Sequence, residues 1–551
     1  MLRKGYQDWI ITGCLVAWAF TVVQAEAVRF RAMWRDDPAT TMVIGWDQVS
    51  GYDPVLHYDE VDFGKQATAY RMAKRPDRIT TAKGMKNHFV RLTGLSPNTL
   101  YYFVVKDNEG TSRRYAFQTA PDDPGVRLSI VAGGDSRNNR DARVEANRLV
   151  SKLRPHFVVF DGDMTGGDTD QNWRDWMDDW QETVGSDGRL FPVVAARGNH
   201  ERENASITEL FDSPSPDVYF ALTFGGGLFR LYTLNSLIAP AGRQQIWLEG
   251  DLKANPDVRW KMAQYHQPMR PHTRRKPERD DLYAAWAGLL YEHGVDLVLE
   301  SDAHMVKTTY PVRPFKGLGS EEGFIRDDEK GIVFIGEGCW GAPLRDADDA
   351  KSWTRATGSF NQFKWIFVSQ EKIEVRTIKT DNTQYVAEVS HNNIFEPPIG
   401  LTIWAPPTGD VLAILHPDPP ADPLAGQRLA AREQEAAESA PSPPDAAAPS
   451  EPKPKPPSKP VDKNDWTVFP KAVTDETGGV VISYEMPARG DVSLQLINRE
   501  WQMVTRVALD NEPGGPAEKR LDLSGVSDGE YLLVIKRNGQ LLKRIFILKG
   551  Q

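Results

Sequence analysis

The chain has 551 residues, more than one hydrophobic core can organise, so three or four domains are expected. Its 40% hydrophobic and 26% charged residues are ordinary for soluble globular protein. A net charge of -10 gives no reason to expect nucleic acid or an anionic membrane surface as a partner.

The first residues have the make-up of an export signal. Arg3 and Lys4 precede an apolar stretch from Ile10 to Val23, and Ala25-Glu26-Ala27 offers a cleavage site. The stretch is short for a membrane span, which needs about twenty apolar residues. Residues 1–27 are therefore assigned to a signal peptide, and a secreted, periplasmic or cell-surface location without a span in the mature chain is expected. Cys14 leaves with the signal, so Cys339 is the one remaining cysteine and no internal disulfide can form. A buried structural thiol is expected there.

Residues 28–121 contain short alternating runs, among them Val28 to Trp34 and Thr41 to Trp46, and read as a β-sandwich. The segment Leu95 to Tyr101, Leu-Ser-Pro-Asn-Thr-Leu-Tyr, resembles the tyrosine corner of fibronectin type III domains. From residue 126 to about 380 strands and helices alternate. Leu128 to Ala132, His156 to Phe160, Phe191 to Ala196, Leu228 to Thr233, Trp260 to Tyr265, Val295 to Leu299 and Gly331 to Ile335 read as strands. Asp141 to Leu153, Asn172 to Val184, Gln244 to Lys253 and Asp281 to Gly294 read as helices. This is the rhythm of a layered α/β sandwich with two sheets flanked by helices. Residues 381–405 form an apolar-rich extension. Residues 406–463 are rich in Pro and Ala and read as an extended linker, with one short helix near Leu429 to Ser439. Residues 464–551 return to β patterning, and Asn538-Gly539 marks a hairpin. That segment resembles Ig-like sorting or anchoring modules of secreted bacterial proteins.

Five loops of the α/β region each follow an apolar strand and carry ligand-type side chains. They are Gly134-Asp135-Ser-Arg137, Gly162-Asp163, Gly198-Asn199-His200-Glu201, Tyr265-His266-Gln-Pro268 and Ser301-Asp302-Ala-His304. In open α/β sheets such strand ends form ligand sites. Nitrogen and oxygen donors converging from several strands suit a two-metal centre with one bridging carboxylate.

The order and spacing of these loops resemble the metallophosphoesterase superfamily, and within it purple acid phosphatases with an N-terminal fibronectin-like domain. The likeness covers about residues 28–380, and the segments Gln245 to Leu252 and Tyr291 to Leu299 add to it. The resemblance implies that Asp135 and His304 bind one metal, Asn199 and His266 the other, and that Asp163 bridges them. It further implies that His200 contacts phosphate or protonates the leaving group, and that phosphate esters are hydrolysed by direct attack of metal-bound hydroxide. A phosphomonoesterase is the activity implied, with a phosphodiesterase or nucleotidase, or a surface-binding protein with a degenerate site, as alternatives. Arg137, Asn138, Arg270 and His272 are candidate substrate contacts, and the basic run Arg274-Arg275-Lys276 can supply others.

Two positions depart from the family pattern. The family's tyrosinate ligand falls at Gly166, which has no side chain, and the first histidine of its last motif falls at Asp302. Asp135, Asp163 and Asp302 keep three anionic ligands while moving one charge from the first metal to the second. Two divalent ions such as Mn, Zn or Fe(II) are expected in preference to Fe(III). Small phosphate esters are the expected partners, and the sequence sets no oligomeric state.

Overall fold

The computed structural model describes residues 26–417 and, further on, the strands that lie between 473 and 549. Residues 1–25 of the expected signal peptide, most of the linker and the short helix near Leu429 fall outside the described residues, while Ala27, placed in the signal peptide by the sequence reading, already belongs to the first strand. The chain divides into two compact units, Met1–Arg432 and Glu433–Gln551.

The first unit opens with two four-stranded antiparallel sheets. One runs in the order Ala27–Met33, Met42–Gln48, Met85–Leu92, Arg78–Ala82, and the other Met72–Lys74, Val55–Asp59, Leu100–Lys106, Tyr115–Gln118. Phe30, Trp46, Phe103 and Phe117 are buried together between them. The Tyr101 hydroxyl accepts the Ser96 N–H at 2.9 Å, tying a strand start to the backbone just upstream.

The α/β region follows, with strands β1 (Leu128–Gly133), β2 (Phe157–Phe160), β3 (Val193–Ala195), β4 (Phe229–Thr233), β5 (Trp260–Gln264), β6 (Leu297–Glu300) and β7 (Val333–Gly336). β1, β2 and β3 pair in parallel in a six-stranded sheet; β4 to β7 do so in a seven-stranded one. Register aligns their carboxyl ends. Gly133 lies beside Phe160, Phe160 beside Ala195, Thr233 beside Gln264, and Glu300 beside Gly336.

The sheets have apolar residues on both faces, which is why their strands read as continuous hydrophobic runs. Ile130, Phe157 and Val159 meet Leu231, Met262 and Leu299 in the inner core, while Val131, Val158 and Phe160 face outward. The outer residues are covered by helices α1 (Arg140–Leu153) and α2 (Asp170–Trp180). Trp173, Trp176 and Trp180 of α2 are all buried, with Trp176 and Trp180 stacked at 4.9 Å. At about 1.5–3 kcal/mol for each large side chain buried, this stripe alone fixes α2 on the sheet.

The inner core runs on into the N-terminal sandwich. Trp34 packs edge-on against Phe157 at 5.7 Å and Phe224 at 5.5 Å. Residues 381–405 pack on the far end of α1, where the Lys152 ammonium donates to the Thr383 and Val386 carbonyls. One boundary differs from the sequence reading. Val411–Leu415, expected inside the linker from 406, is an edge strand paired antiparallel with Lys372–Arg376. Its run of Val, Leu, Ala, Ile and Leu overrides the flanking prolines, and Leu412 is buried.

In the second unit the described strands form a three-stranded sheet (Val473–Thr474, Val480–Met486, Gly515–Leu521) and a four-stranded one (Met503–Glu512, Gly490–Ile497, Gly529–Arg537, Gln540–Lys549). Arg537 pairs with Gln540, and Asn538-Gly539, the expected hairpin turn, lies outside the described residues. Among the described residues no helix is long and apolar enough to cross a membrane.

Candidate metal centre

The loops after β1, β2, β3, β5 and β6 meet at one edge of the two sheets. Close approach there depends on small residues. A Cβ built on Gly162 would lie 2.7 Å from the Gly198 Cα, so the second and third loops touch only because both positions are glycine. Asp135, Asp163, Asp302 and His304 themselves take left-handed backbone conformations, with φ between 54° and 66°. Side chains seldom occupy that region, and such strain concentrates at functional sites.

Two groups of donors result. Asp135, Asp163 and His304 form one, and Asp163, His266 and Asp302 the other; within each, the donor atoms lie within 4.8 Å of one another and all the residues are buried. Asp163 belongs to both. His304 Nε2 is 3.0 Å from Asp135 Oδ1. His266 Nε2 is 3.3 Å from Asp163 Oδ1, 3.5 Å from Asp302 Oδ1 and 3.2 Å from Asn199 Oδ1. Asn199 is the one exposed member of the constellation.

Both imidazoles are turned the same way. Nδ1 of His266 donates to the Asp161 carbonyl and Nδ1 of His304 to the Pro343 carbonyl, each at 2.9 Å. A carbonyl can only accept, so the proton sits on Nδ1 and the Nε2 lone pair faces the carboxylates. Acceptor then faces acceptor, an arrangement that needs a cation between. Asp135 Oδ1 and Asp163 Oδ2 are buried without a hydrogen-bond partner. The donor set of carboxylate, imidazole and amide oxygen suits divalent first-row metals.

The electrostatics agree. Burial alone would lower the His266 pKa, yet the charges of Asp163 and Asp135 raise it well above the usual histidine value. Burial pushes the Asp163 and Asp302 carboxyls up, and the His266 charge outweighs it and holds both below the usual range.

Glu201 secures the cluster from behind. Its fully buried carboxylate accepts the N–H groups of Asp163 (2.9 Å), Met164 (2.8 Å) and Gly198 (2.7 Å). Burial and the neighbouring Asp163 charge raise its pKa to about 7. Asp302 N–H donates to Asp135 Oδ2 at 2.6 Å, leaving Oδ1 to face His304. Nothing in the sequence marks Glu201 as a clamp, although it adjoins His200.

Around the mouth, His200 has a quarter of its side chain exposed, with Nε2 3.8 Å from Asp163 Oδ2. Arg137 Nη1 lies 3.5 Å from His304 Nε2, and Asn138 is exposed beside it. Arg270 and His272, expected among the substrate contacts, are engaged within the protein instead. Arg270 is buried and bonds Asp280 (2.8 Å) and the Glu322 carbonyl (2.6 Å). His272 is buried with Nε2 2.7 Å from the Thr354 hydroxyl, and burial lowers its pKa well below the usual value. Both sit beneath the site because the chain after Pro268 dives inward, with Met269 buried and its N–H on Glu300. Cys339 is buried, as expected, and burial raises its pKa well above the usual thiol value.

This fold and strand-end edge define a metallophosphoesterase architecture. Residues 130–306 match the family model of calcineurin-like phosphoesterases, and residues 27–119 match that of the purple acid phosphatase N-terminal domain. The chain therefore carries that domain pair and is purple acid phosphatase-like. It is 25% identical over 260 residues to purple acid phosphatase 15 of Arabidopsis thaliana and 26% identical over 268 residues to purple acid phosphatase 13 of the same plant. Each alignment covers 39% of this chain, and the chain spans 48%, about half, of either relative. Its fold is similar to that of purple acid phosphatase PPD1 from yellow lupin (Lupinus luteus) seeds, with a TM-score of 0.53, 15% identity, and 68% of this chain and 76% of that one covered.

Proposed function

We propose that the protein is an exported binuclear-metal phosphoesterase that hydrolyses phosphomonoesters. The observation that carries this reading is the sharing of Asp163 between two buried donor groups. Asp135, Asp163 and His304 would hold one ion; Asp163, Asn199, His266 and Asp302 would hold the other. Bound there, two divalent ions would activate water for attack and neutralise phosphoryl charge.

The remaining work falls to this chain's own side chains. Glu201 ties the Asp163-Met164 backbone to Gly198 by accepting one N–H from each of the three. Asp161 and Pro343 orient the two imidazoles through their carbonyls. His200 stands at the mouth, where a protonated Nε2 can donate to a phosphoryl or leaving-group oxygen. The nearness of Arg137 to His304 and the exposure of Asn138 support them as contacts for a phosphate ester. Export is supported by the basic start, the apolar stretch and the Ala25-Glu26-Ala27 site. Two antiparallel sheets in the second unit support an Ig-like anchoring module.

The test is hydrolysis of a phosphomonoester and a phosphodiester by metal-reconstituted wild type beside Asp163→Asn, with metal content measured in both. Activity in wild type with two ions per chain, and loss of both in the variant, is the expected result. Equal rates from the two proteins would overturn the enzymatic reading and leave a binding protein.

A further inference from the structure

Asp302 stands where the family resemblance implies a histidine, and its carboxylate has a partner that no motif announces. Lys276 Nζ donates to Asp302 Oδ1 at 2.5 Å, the same oxygen that lies 3.5 Å from His266 Nε2. The lysine side chain is about one-fifth exposed, so its ammonium lies between the buried donors and solvent. Asp302 is the only acceptor that this ammonium has among the described residues. The supporting loop is pinned by Arg274 N–H on Asp348 Oδ1 at 2.9 Å and Asp349 N–H on the His272 carbonyl. Arg274 and Arg275 point to solvent; only the third member of the basic run turns inward.

We propose that Lys276 is a phosphate-binding residue and sets a preference for dianionic phosphomonoesters over monoanionic diesters. The proposal rests on the binuclear reading above. A metal ion held by Asp302 would compete with the ammonium for Oδ1, the oxygen that Lys276 now uses, and a phosphoryl oxygen would be the alternative acceptor for it. A long, flexible stem with rotatable donors suits that exchange.

Charge matching explains the preference. Two divalent ions held by three carboxylates would leave one excess positive charge, which would suit a diester. Arg137 beside the His304 group and Lys276 beside the His266 group raise the excess to three, on both flanks of the centre. A second negative charge on the ester then gains far more than it would in water, because the donors between the flanks are buried.

Lys276→Met keeps the stem and removes the charge. The expected result has three parts. Inorganic phosphate binds the metal-reconstituted variant about tenfold or more weakly by calorimetry, the size of one charge-assisted contact. The kcat/KM for p-nitrophenyl phosphate falls by about the same factor, while that for bis(p-nitrophenyl) phosphate falls less than about threefold. Titration of the ion-free variant with Mn2+ shows second-ion affinity equal to or tighter than wild type, since a competing cation is gone. Lys276→Arg retains most of the phosphate affinity.

Equal losses on both esters, or weaker second-ion binding with unchanged phosphate affinity, would overturn the proposal and make Lys276 a structural counter-ion. If wild type takes up no second ion or cleaves neither ester, the binuclear reading itself fails, which is a distinct result.

Discussion

The main-chain carbonyl of Gly166 accepts the Nδ1–H of His200 at 2.8 Å. His200 is thus fixed twice, because its own N–H donates to Asp163 Oδ1 at 2.7 Å. With Nδ1 committed, Nε2 is the only nitrogen able to give a proton to a phosphoryl or leaving-group oxygen. His200→Asn should lower kcat/KM by about 10²–10⁴-fold, the usual contribution of a positioned acid. Its metal content should stay at the wild-type level, since neither donor group includes His200. Steady-state kinetics beside elemental analysis checks both halves; loss of the ions would mean that His200 holds the site together.

Gly166 also bears on colour. A Cβ there would lie 2.9 Å from the Asn138 Cβ, so Asn138 fills the place where a side chain at 166 would have to pass. Iron-reconstituted wild type should therefore lack a visible tyrosinate-to-iron band. Absorption spectra with iron analysis decide it, and a purple band with about one ferric ion per chain would contradict the expectation. Gly166→Tyr alone should not create the band, because the tyrosine meets Asn138 first and disturbs the His200 anchor.

The legible part of this site was the part written into strand ends. Asp135, Asp163, His266, Asp302 and His304 each follow a continuous apolar run, and a buried parallel strand that stops at an acid or a histidine leaves few alternatives. The α2 helix was legible for a similar reason, since tryptophans at spacings of three and four mark a single buried stripe. Strands such as Phe220–Phe224 and Thr354–Gly358 went unread, because an edge position is decided by the neighbour and not by local pattern. Glu201 and Lys276 were invisible as partners of Asp163 and Asp302. Their roles depend on which loops the fold brings together, and spacing along the chain does not contain that. Arg270 and His272 misled for the opposite reason: nearness in sequence to His266 does not decide which way a loop turns.

The junction between the sandwich and the α/β region turns on Asp212. Its carboxylate is fully buried and receives Arg91 through two bonds of 2.8 Å, Arg78 at 3.0 Å and Arg35 at 3.3 Å. Removing it leaves three guanidinium groups without their shared anion. A fully buried pair broken in this way costs about 3–5 kcal/mol, but these arginines are partly solvated, so about 2 kcal/mol is expected for Asp212→Ala. Thermal denaturation should show a lower Tm, while Arg35→Ala alone should shift it much less because Arg78 and Arg91 remain.

Beneath the site, Glu300 and Glu337 share the ammonium of Lys307, and all three are buried. One cation cannot satisfy two carboxylates, and burial with the Glu300 charge outweighs Lys307 to raise the Glu337 pKa to about 7. The folded state therefore binds more protons than the unfolded chain between the ordinary glutamate value and about pH 7. Stability contributed by this group must fall as pH rises through that window, by up to about 3 kcal/mol. Glu337→Gln removes the titration and can still accept the His272 N–H through its amide oxygen. In metal-free protein, the stability of the variant relative to wild type should therefore rise between pH 5 and pH 8. Denaturation curves at both pH values check this. A difference that stays flat, or shrinks toward pH 8, would mean that Lys307 neutralises Glu337 fully.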